Sequence, residues 1–465
     1  MKTTLTFYGA TRTVTGSRHL VTIGNRRILV DCGLFQGPRE LRERNWHEFP
    51  VPPNSIDVVI LTHAHTDHIG YLPRLIRDGF RGPVYCTKAT KAIAQISLPD
   101  SARLQEEEAR YHAKHRLTHA GHGLPLYNES DAYYALSRIE AHAYNAVISL
   151  GNHAEFRFLP AGHILGSAFA DITLPNGETL LMSGDLGRFN TPLIVDPTIV
   201  TAADYLVVES TYGDRLHPTE DPESFLEKVI HDISENGKVL LIPSFAIGRT
   251  QELLYYITRL QSAKRIKRIP IFIDSPMATA TTLLYHSSFE DIDDETKVFF
   301  DQERSPIKPE GLTFVRDREG SKELNSRQGP FIVIAGSGMA SGGRIVHHLR
   351  NRISRPDTTV LFAGYQAEGT LGRRIVSGES PVNILGAPVE VRASIISMGS
   401  LSAHADQSEI ISWLSHFAAP PSQTFLVHGE YQPQLALQAR IQSELGWNVS
   451  IPSYGESFEL ARSKH

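Results

Sequence analysis

Three histidines and an aspartate lie within the short segment His63-Ala-His-Thr-Asp-His68. Imidazole and carboxylate groups are ligands that zinc prefers in proteins. Alternate residues of an extended chain share one face, so His63 and His65 can bind one metal ion, while Asp67 and His68 can reach a second. The spacing therefore indicates a site for two ions. The alternative is a loop of solvated histidines, because a motif alone is only a hypothesis.

Several other polar residues directly follow short apolar runs that are typical of buried strands. The carboxyl ends of strands in open α/β sheets commonly converge on one polar site, so we expect these residues to lie together. Any single carboxylate could instead cap a helix, and Asp67 is expected to cap a helix whose apolar positions run from Ile69 to Ile76. The runs 27–30, 58–61, 156–159, 180–182, 205–208 and 425–427 lead to Asp31, His63, His163, Asp185, Glu209 and His428.

Length and composition describe an ordinary globular protein with two or three domains. The chain has 465 residues, of which 41% are hydrophobic and 21% are charged. Its apolar runs are too short to cross a bilayer, and its N-terminus lacks the apolar core of a signal peptide. Two cysteines cannot form a disulfide framework, so a cytoplasmic protein is expected. The net charge of −5 argues against nucleic-acid binding through bulk positive charge.

After Gly213 the sequence shows alternating helix and strand patterns. Helical patterns at 222–235 and 250–260 alternate with apolar runs at 239–242, 271–273 and 331–334. Such alternation predicts a mainly parallel sheet covered by helices. Strand-led, histidine-bearing segments then return near residue 395, which indicates an inserted domain. The predicted domains are residues 1–213, the insertion 214–388, and residues 389–465.

Five motifs carry a resemblance to a known family. The segment H-x-H-x-D-H resembles the motif of the metallo-β-lactamase superfamily, whose members bind one or two metal ions. Glu209 in VVESTYG, His404 in SAHAD, His428 in VHGE, and residues 243–253 resemble motifs of its β-CASP family of ribonucleases. The resemblance spans nearly the whole chain and extends to the endonuclease subunit of pre-mRNA 3′-end processing and its compact bacterial homologues. It implies an α/β fold, a metallo-β-lactamase αββα sandwich with an inserted β-CASP α/β domain.

The resemblance also implies a role for each candidate residue. Two Zn²⁺ ions per chain are implied, because iron-containing relatives carry Glu where this chain has His65. Asp31 would orient ligating imidazoles without binding an ion. His404, paired with Glu209, would be the general acid, since an adjacent carboxylate favours imidazolium. The implied ligands are His63, His65 and His163 for one ion, Asp67, His68 and His428 for the other, and Asp185 as the bridge, with Asp67, His404 and Glu209 as catalytic residues.

The implied substrate is RNA, because family members that act on DNA usually carry Val at the position of His428. Endonucleolytic cleavage is the first expectation. The chain ends 37 residues after His428 (465 minus 428), which leaves no room for the extra domain of ribonuclease J enzymes. The alternatives are a 5′ to 3′ exoribonuclease, a metallo-hydrolase that is not a nuclease, and an inactive RNA-binding scaffold. We expect no membrane partner, and a homodimer stays open because no pattern decides the oligomeric state.

Two further segments could bind ligands. The glycine-rich segment 335–343 precedes a helical run at 344–352, and backbone amides at such a helix start can bind phosphate. Four histidines at 112, 115, 119 and 122 could bind a further metal, but a solvated helix face is the preferred interpretation and they receive no role. The residues predicted to bind RNA phosphate are Gly336, Ser337, Gly338, Ser341 and Arg344.

Overall fold

The computed structural model describes residues 2–115, 124–301, 305–364 and 366–460. The chain divides into two compact units. Unit 1 comprises Met1–Thr191, Val195–Leu216 and His404–His465, and unit 2 comprises Pro192–Ile194 and His217–Ala403. Unit 2 is therefore an insertion in the sequence of unit 1.

The elements alternate along the chain much as the apolar patterns predict. The strands are β1 Thr3–Phe7, β2 His19–Ile23, β3 Arg26–Val30, β4 Val58–Ile60, β5 Val84–Thr87, β6 Ile139–His142, β7 Ile148–Gly151, β8 Ala154–Pro160, β9 Ala168–Thr173, β10 Thr179–Met182, β11 Tyr205–Glu209, β12 Val239–Pro243, β13 Ile271–Asp274, β14 Leu312–Phe314, β15 Phe331–Ala335, β16 Thr358–Ala363, β17 Val382–Ile384, β18 Ala387–Val389, β19 Ser394–Met398, β20 Gln423–Val427, β21 Val449–Ser450 and β22 Ser457–Glu459. The helices are α1 Arg39–Glu43, α2 Thr66–Ile69, α3 Leu72–Arg77, α4 Lys88–His115, α5 Glu129–Ser137, α6 Pro222–Glu235, α7 Arg249–Ser262, α8 Pro276–Leu284, α9 Asp294–Asp301, α10 Arg318–Ser326, α11 Arg344–Arg352, α12 Leu371–Val376, α13 Gln407–Leu414 and α14 Tyr431–Leu445.

Unit 1 is built on two sheets that share one hydrophobic core. Within the described ranges, both sheets have seven strands, in the orders β22-β1-β2-β3-β4-β5-β6 and β21-β20-β11-β10-β9-β8-β7. Buried residues of both sheets, such as Phe7 and Val21 of the first and Phe156 and Phe158 of the second, form a single cluster. Burial of apolar faces against each other is the main force that holds such a sandwich together.

Helices cover the outer faces of these sheets. Helix α4 packs on β5 and β6 of the first sheet. On the second sheet, Trp413 of α13 and Leu437 of α14 join a separate buried cluster with Phe169 and Leu426. The predicted αββα sandwich is therefore confirmed.

Unit 2 contains a parallel sheet with the order β14-β13-β15-β12-β16-β19. All of its strand pairs are parallel. Its core packs Val239 and Phe331 of the sheet against Ile345 and Leu349 of α11. The prediction of a parallel sheet covered by helices is confirmed, and it makes unit 2 the inserted α/β domain.

The limits of unit 2 differ from the predicted domain boundaries at 213/214 and 388/389. Sequence pattern places residues 395–398 with the returning segment, because they lead toward His404. In the structure these residues belong to β19, which pairs with β16 in the sheet of unit 2. The second compact unit therefore continues to Ala403.

Two further observations concern the described part of the chain. None of its helices is long and apolar enough to cross a membrane. Helix α4 ends at His115. The histidines at 119 and 122 lie outside the described residues.

Candidate metal centre

Three histidine nitrogens and a carboxylate oxygen converge on one point in unit 1. His65 Nδ1 lies 3.1 Å from His63 Nε2 and 3.2 Å from His163 Nε2. Asp185 Oδ2 lies 3.4 Å from both of those Nε2 atoms. Ligands at about 2.0–2.1 Å from a tetrahedral zinc ion are roughly 3.3 to 3.4 Å apart. These four distances match that spacing, and all four atoms lie within 4.8 Å of one another, as a single bound ion requires.

A second group of ligand atoms lies on the other side of Asp185. Asp67 Oδ2 is 3.2 Å from His428 Nε2 and 3.9 Å from His68 Nε2. His68 Nε2 is also 3.2 Å from Asp185 Oδ1. Both His68 Nε2 and Asp185 Oδ1 are buried without a hydrogen-bond partner among the described residues. Buried polar atoms normally have partners, so this pair fits a bound cation, and Asp185 offers one oxygen to each group.

Hydrogen bonds assign the tautomers of three of these histidines. The Nδ1–H of His68 donates to Asp31 Oδ2 at 2.7 Å. The hydroxyl of Thr62 donates to Asp31 and accepts from His63 Nδ1 at 3.1 Å. The hydroxyl of Thr211 likewise donates to the carbonyl of His428 and accepts from its Nδ1 at 3.1 Å. These bonds occupy the Nδ1 atom of each ring and leave its Nε2 directed at the ligand groups, where it could bind a metal ion.

The electrostatic state of the site also suits metal binding. Burial disfavours imidazolium and lowers the pKa of His63, that of His163 and, to about 3, that of His65. Burial opposes ionisation of Asp185, but its interactions with His428, His68 and His63 outweigh burial and hold the pKa of this carboxyl well below its usual value. Neutral imidazoles beside an ionised carboxylate are the protonation states that metal binding needs. Burial lowers the pKa of His68, but Asp185 and Asp31 together raise it above the usual value, and a metal ion would replace that proton.

The position of Asp67 differs from the prediction that it caps a helix. Helix α2 begins at Thr66, its N-cap is His65, and Asp67 lies in the first turn. The helical pattern is also interrupted at Gly70, so α2 and α3 are separate. The predicted cap is therefore wrong, because the helix starts one residue before Asp67 and leaves its carboxylate directed at His428.

Gly33 keeps this first turn in place, and we expect Gly33→Ala to displace it. A Cβ atom at position 33 would lie 1.5 Å from the carbonyl oxygen of Asp67. Relief of such a clash requires a backbone shift that costs about 1–3 kcal/mol of stability. Thermal unfolding should show a lower Tm, and Gly342→Ala, whose Cβ would meet nothing within 4 Å, is the matched control. Equal Tm values for the two variants would contradict this account.

His404 lies beside the first group of ligands and is held by Glu209. Its Nδ1 is 2.9 Å from Glu209 Oε1. Pairing of His404 with Gly187 places it next to the segment that follows Asp185. Burial lowers the pKa of His404, but the charge and hydrogen bond of Glu209, with further charge from Asp185 and Asp67, raise it to about 9. These interactions favour the protonated imidazole, which is the state that a general acid needs.

The glycine-rich segment lies in unit 2, between β15 and α11. Ser337 Oγ accepts from the backbone N–H of Ser341 at 3.0 Å. Arg344, the first residue of α11, donates to the fully buried carboxylate of Asp274. Asp274 also accepts from His348 Nε2 at 2.7 Å. The guanidinium of Arg344 therefore has an internal partner, which the sequence pattern did not indicate.

The structure brings together all of the predicted ligands and the two residues paired for acid catalysis. It adds Thr62 and Thr211, which sequence reasoning missed. Their only sequence signal is adjacency, since Thr62 precedes His63 and Thr211 follows Glu209 by two residues. Asp31 has a positive φ of 61° and His428 one of 49°. Such backbone conformations persist where the surrounding structure enforces them, as it does at many functional sites.

Comparison with protein families divides the chain into three matched regions. Residues 15–204 match the metallo-beta-lactamase superfamily. Residues 250–375 match the Beta-Casp domain. Residues 388–452 match the Zn-dependent metallo-hydrolase RNA specificity domain. The first and third regions contain the predicted metal ligands, and the second lies within the inserted unit.

Curated proteins of similar sequence cover nearly all of the chain. Ribonuclease TTHA0252 from Thermus thermophilus is 40% identical over 97% of this chain and 98% of its own length. Transcription termination factor FttA from Methanocaldococcus jannaschii is 28% identical over 92% of this chain, but the match covers 67% of its length. An RNase J-like protein from the same archaeon is 27% identical over 97% of this chain and 98% of its length.

A solved structure supports the fold alone. A protein of unknown function from Enterococcus faecalis V583 superimposes with a TM-score of 0.55 and covers 99% of this chain and 100% of its own. Its sequence identity to this chain is 15%.

Proposed function

The chain belongs to the β-CASP family of metal-dependent hydrolases with the metallo-β-lactamase fold, and from that premise we propose that it is a zinc-dependent ribonuclease that cleaves within RNA chains. The observation that carries the proposal is the position of Asp185, whose two oxygens face two separate groups of histidine and aspartate ligands. An RNA substrate is supported by the similarity to Ribonuclease TTHA0252. It is also supported by the RNA specificity region that contains His428.

Two Zn²⁺ ions fit these donors. His63, His65 and His163 would hold one ion, Asp67, His68 and His428 would hold the other, and Asp185 would contact both. When bound, such ions lower the pKa of a water molecule and stabilise the charge that develops on phosphate oxygens. His65, rather than Glu, supports zinc over a redox-active iron.

Other side chains would orient the metal ligands and transfer the proton that hydrolysis requires. Asp31, Thr62 and Thr211 hold ligand imidazoles in one tautomer and orientation. His404 donates the proton from its Nε2 to the leaving oxygen of the phosphodiester. Glu209 binds Nδ1 of His404 and favours the charged ring until that transfer. RNA phosphate contacts by Gly336, Ser337, Gly338, Ser341 and Arg344 stay a prediction, and loss of Arg344 would also leave Asp274 without one of its partners.

We expect Thr211→Val to weaken metal binding without removing a ligand. The valine keeps the volume of threonine but cannot accept from Nδ1 of His428, so the ring is free to take the wrong tautomer. Loss of such a supporting hydrogen bond typically costs about 10- to 100-fold in metal affinity. Competition with a zinc chelator measures it, and Thr173→Val on β9 is the control. An unchanged affinity in Thr211→Val would show that the hydroxyl has no such role.

Cleavage of a 5′-labelled single-stranded RNA by the purified, zinc-loaded protein tests the proposal. Endonucleolytic action predicts labelled fragments of intermediate length at the earliest times. The second candidate, 5′ to 3′ exonucleolytic action, predicts immediate release of the labelled terminal nucleotide. If the RNA stays intact although the protein has bound two zinc ions, the protein is instead a metallo-hydrolase with another substrate or an RNA-binding scaffold.

We also propose a cytoplasmic location for the protein, since Cys32 and Cys86 are both buried free thiols.

A further inference from the structure

An exposed arginine and an exposed tyrosine form a cation–π pair next to the candidate metal centre. Arg12 Cζ lies 4.5 Å from the ring centroid of Tyr431. Tyr431 is 41% exposed, and Arg12 is exposed as well. Among the described residues, neither Arg12 nor Tyr431 has a carboxylate partner. A cation and an aromatic ring that solvent can reach are the two groups from which proteins build platforms for single-stranded nucleic acid.

Both members of the pair are tied to His428, a candidate metal ligand. Tyr431 is the first residue of α14 and follows His428 by three residues, which limits their separation to about 11 Å of chain. Arg12 belongs to the loop after β1, and the carbonyl of Ala10 in that loop accepts from the backbone N–H of His428 at 2.7 Å. The pair therefore borders the site where a scissile phosphate would bind.

The loop that carries Arg12 is held in an uncommon conformation. Ala10 has a φ of 49° and Arg12 has a φ of 55°. Residues other than glycine adopt such angles rarely, at a cost of about 1–3 kcal/mol each, and mainly at ligand-binding sites. A surface arginine without an ion pair gives little stability in return. The conformation that presents Arg12 to the ring is thus better explained by a ligand than by folding.

From these observations we propose that Arg12 and Tyr431 form a nucleotide subsite, where an RNA base stacks on the pair and Arg12 neutralises an adjacent phosphate. The inference rests on the proposed ribonuclease function and names the contact that holds the strand beside the metal centre. Glu430, which is exposed, precedes Tyr431 and disfavours a phosphate next to the ring. We therefore assign the ring to a base and the phosphate to Arg12. Such stacking tolerates any base, because each base has a π-face.

A second arginine–tyrosine cation–π pair lies in unit 1. Arg44 Cζ lies 4.8 Å from the ring centroid of Tyr454, which is 46% exposed. The ring of Tyr454 lies 6.4 Å from that of Tyr8. Local cations with aromatic partners can attract RNA although the whole chain has a net charge of −5.

Steady-state cleavage of single-stranded RNA by the zinc-loaded enzyme tests the subsite. Tyr431→Ala should raise KM about 5- to 100-fold with little change in kcat, because stacking holds ground state and transition state alike. Tyr431→Phe keeps the ring, so its KM should equal that of the parent.

The salt dependence of RNA binding tests Arg12. Arg12→Ala should lower the slope of log affinity against log salt by about 0.7, the value for one phosphate contact on a single strand. Tyr133→Ala, an exposed tyrosine on α5, is the control.

RNA with an abasic site at successive positions identifies the stacked base. At one position, the abasic site should raise the KM of the parent enzyme to the KM that Tyr431→Ala has for intact RNA. The same abasic RNA should not raise the KM of Tyr431→Ala any further. Equal effects of every abasic site on both enzymes, or a parental KM in Tyr431→Ala, would overturn the subsite while leaving the ribonuclease proposal intact. A zinc-loaded parent that does not cleave RNA would overturn the proposed function, and the subsite with it. Zinc content should equal that of the parent in each variant.

Discussion

Asp185→Ala is expected to lose both metal ions and at least about 10³-fold of the cleavage rate. The two oxygens of Asp185 face different ligand groups, so its removal takes one donor from each. Several kcal/mol of transition-state stabilisation depend on bound ions in such sites, and about 4 kcal/mol corresponds to that factor. Elemental analysis should find two zinc equivalents in the parent and fewer than one in the variant.

Thermal unfolding gives a readout of Asp185→Ala that is independent of activity. Ligands that bind only the folded state raise Tm, so zinc should raise the Tm of the metal-free parent and leave that of the variant nearly unchanged. Asp171→Ala is the control, because this carboxylate lies on β9, which pairs with the strand β10 before Asp185, and bonds Arg157 at 2.9 Å. Full zinc content in Asp185→Ala would refute the assignment of Asp185 as the bridging ligand.

Sequence patterns predicted the candidate ligands because each one follows a strand or lies in one dense segment. Apolar runs predict where strands end, and the ends of neighbouring strands lie together at one edge of a sheet even when they are far apart in sequence. Thr62 and Thr211 carry no such signal, since threonine is common in strands for reasons unrelated to hydrogen bonding. Their role depends on the position of two histidine rings, which only the three-dimensional fold determines.

The remaining differences have the same origin in long-range contacts. Position 67 suits a helix cap by residue type, but the turn at Gly33 and the start of α2 at Thr66 decide the register. Residues 395–398 lie close to His404 in sequence, yet pairing with β16 assigns them to unit 2. The contact of Arg12 with Tyr431 joins opposite ends of the chain, so no local pattern could predict it.

His404→Ala should keep both metal ions and RNA affinity while it loses about 10²- to 10⁴-fold of the cleavage rate. General acid catalysis typically contributes that factor. His404 directs Nδ1 to Glu209, and it is the proposed acid rather than a proposed ligand. His416→Ala is the matched control, because the ring of this exposed histidine bonds the carbonyl of Ser412 and no candidate ligand within the described part of the chain. Added imidazole should restore part of the lost rate in His404→Ala but not in Asp185→Ala.

Loss of metal in His404→Ala, or cleavage at the parental rate, would show that this residue has a different role. The pH dependence separates the two remaining possibilities, a proton donor and a merely structural residue. A donor must be protonated, so the rate of the parent should be level below the pKa of His404 and fall as pH rises through it. A structural residue predicts no such alkaline limb, and the His404→Ala enzyme should lack it.

Glu209→Gln should move that alkaline limb of the parent profile to lower pH. The negative charge of Glu209 helps to raise the pKa of His404 to about 9, together with the charges of Asp185 and Asp67. Cations bound at those two aspartates would cancel their contribution, so in the metal-loaded enzyme Glu209 is the main group that favours imidazolium. Glutamine keeps an acceptor for the backbone N–H of Leu186 and removes the charge, together with the acceptor for the backbone N–H of Thr211. The pKa of His404 then falls, the protonated fraction declines at lower pH, and an unshifted limb in Glu209→Gln would assign the titration to another group.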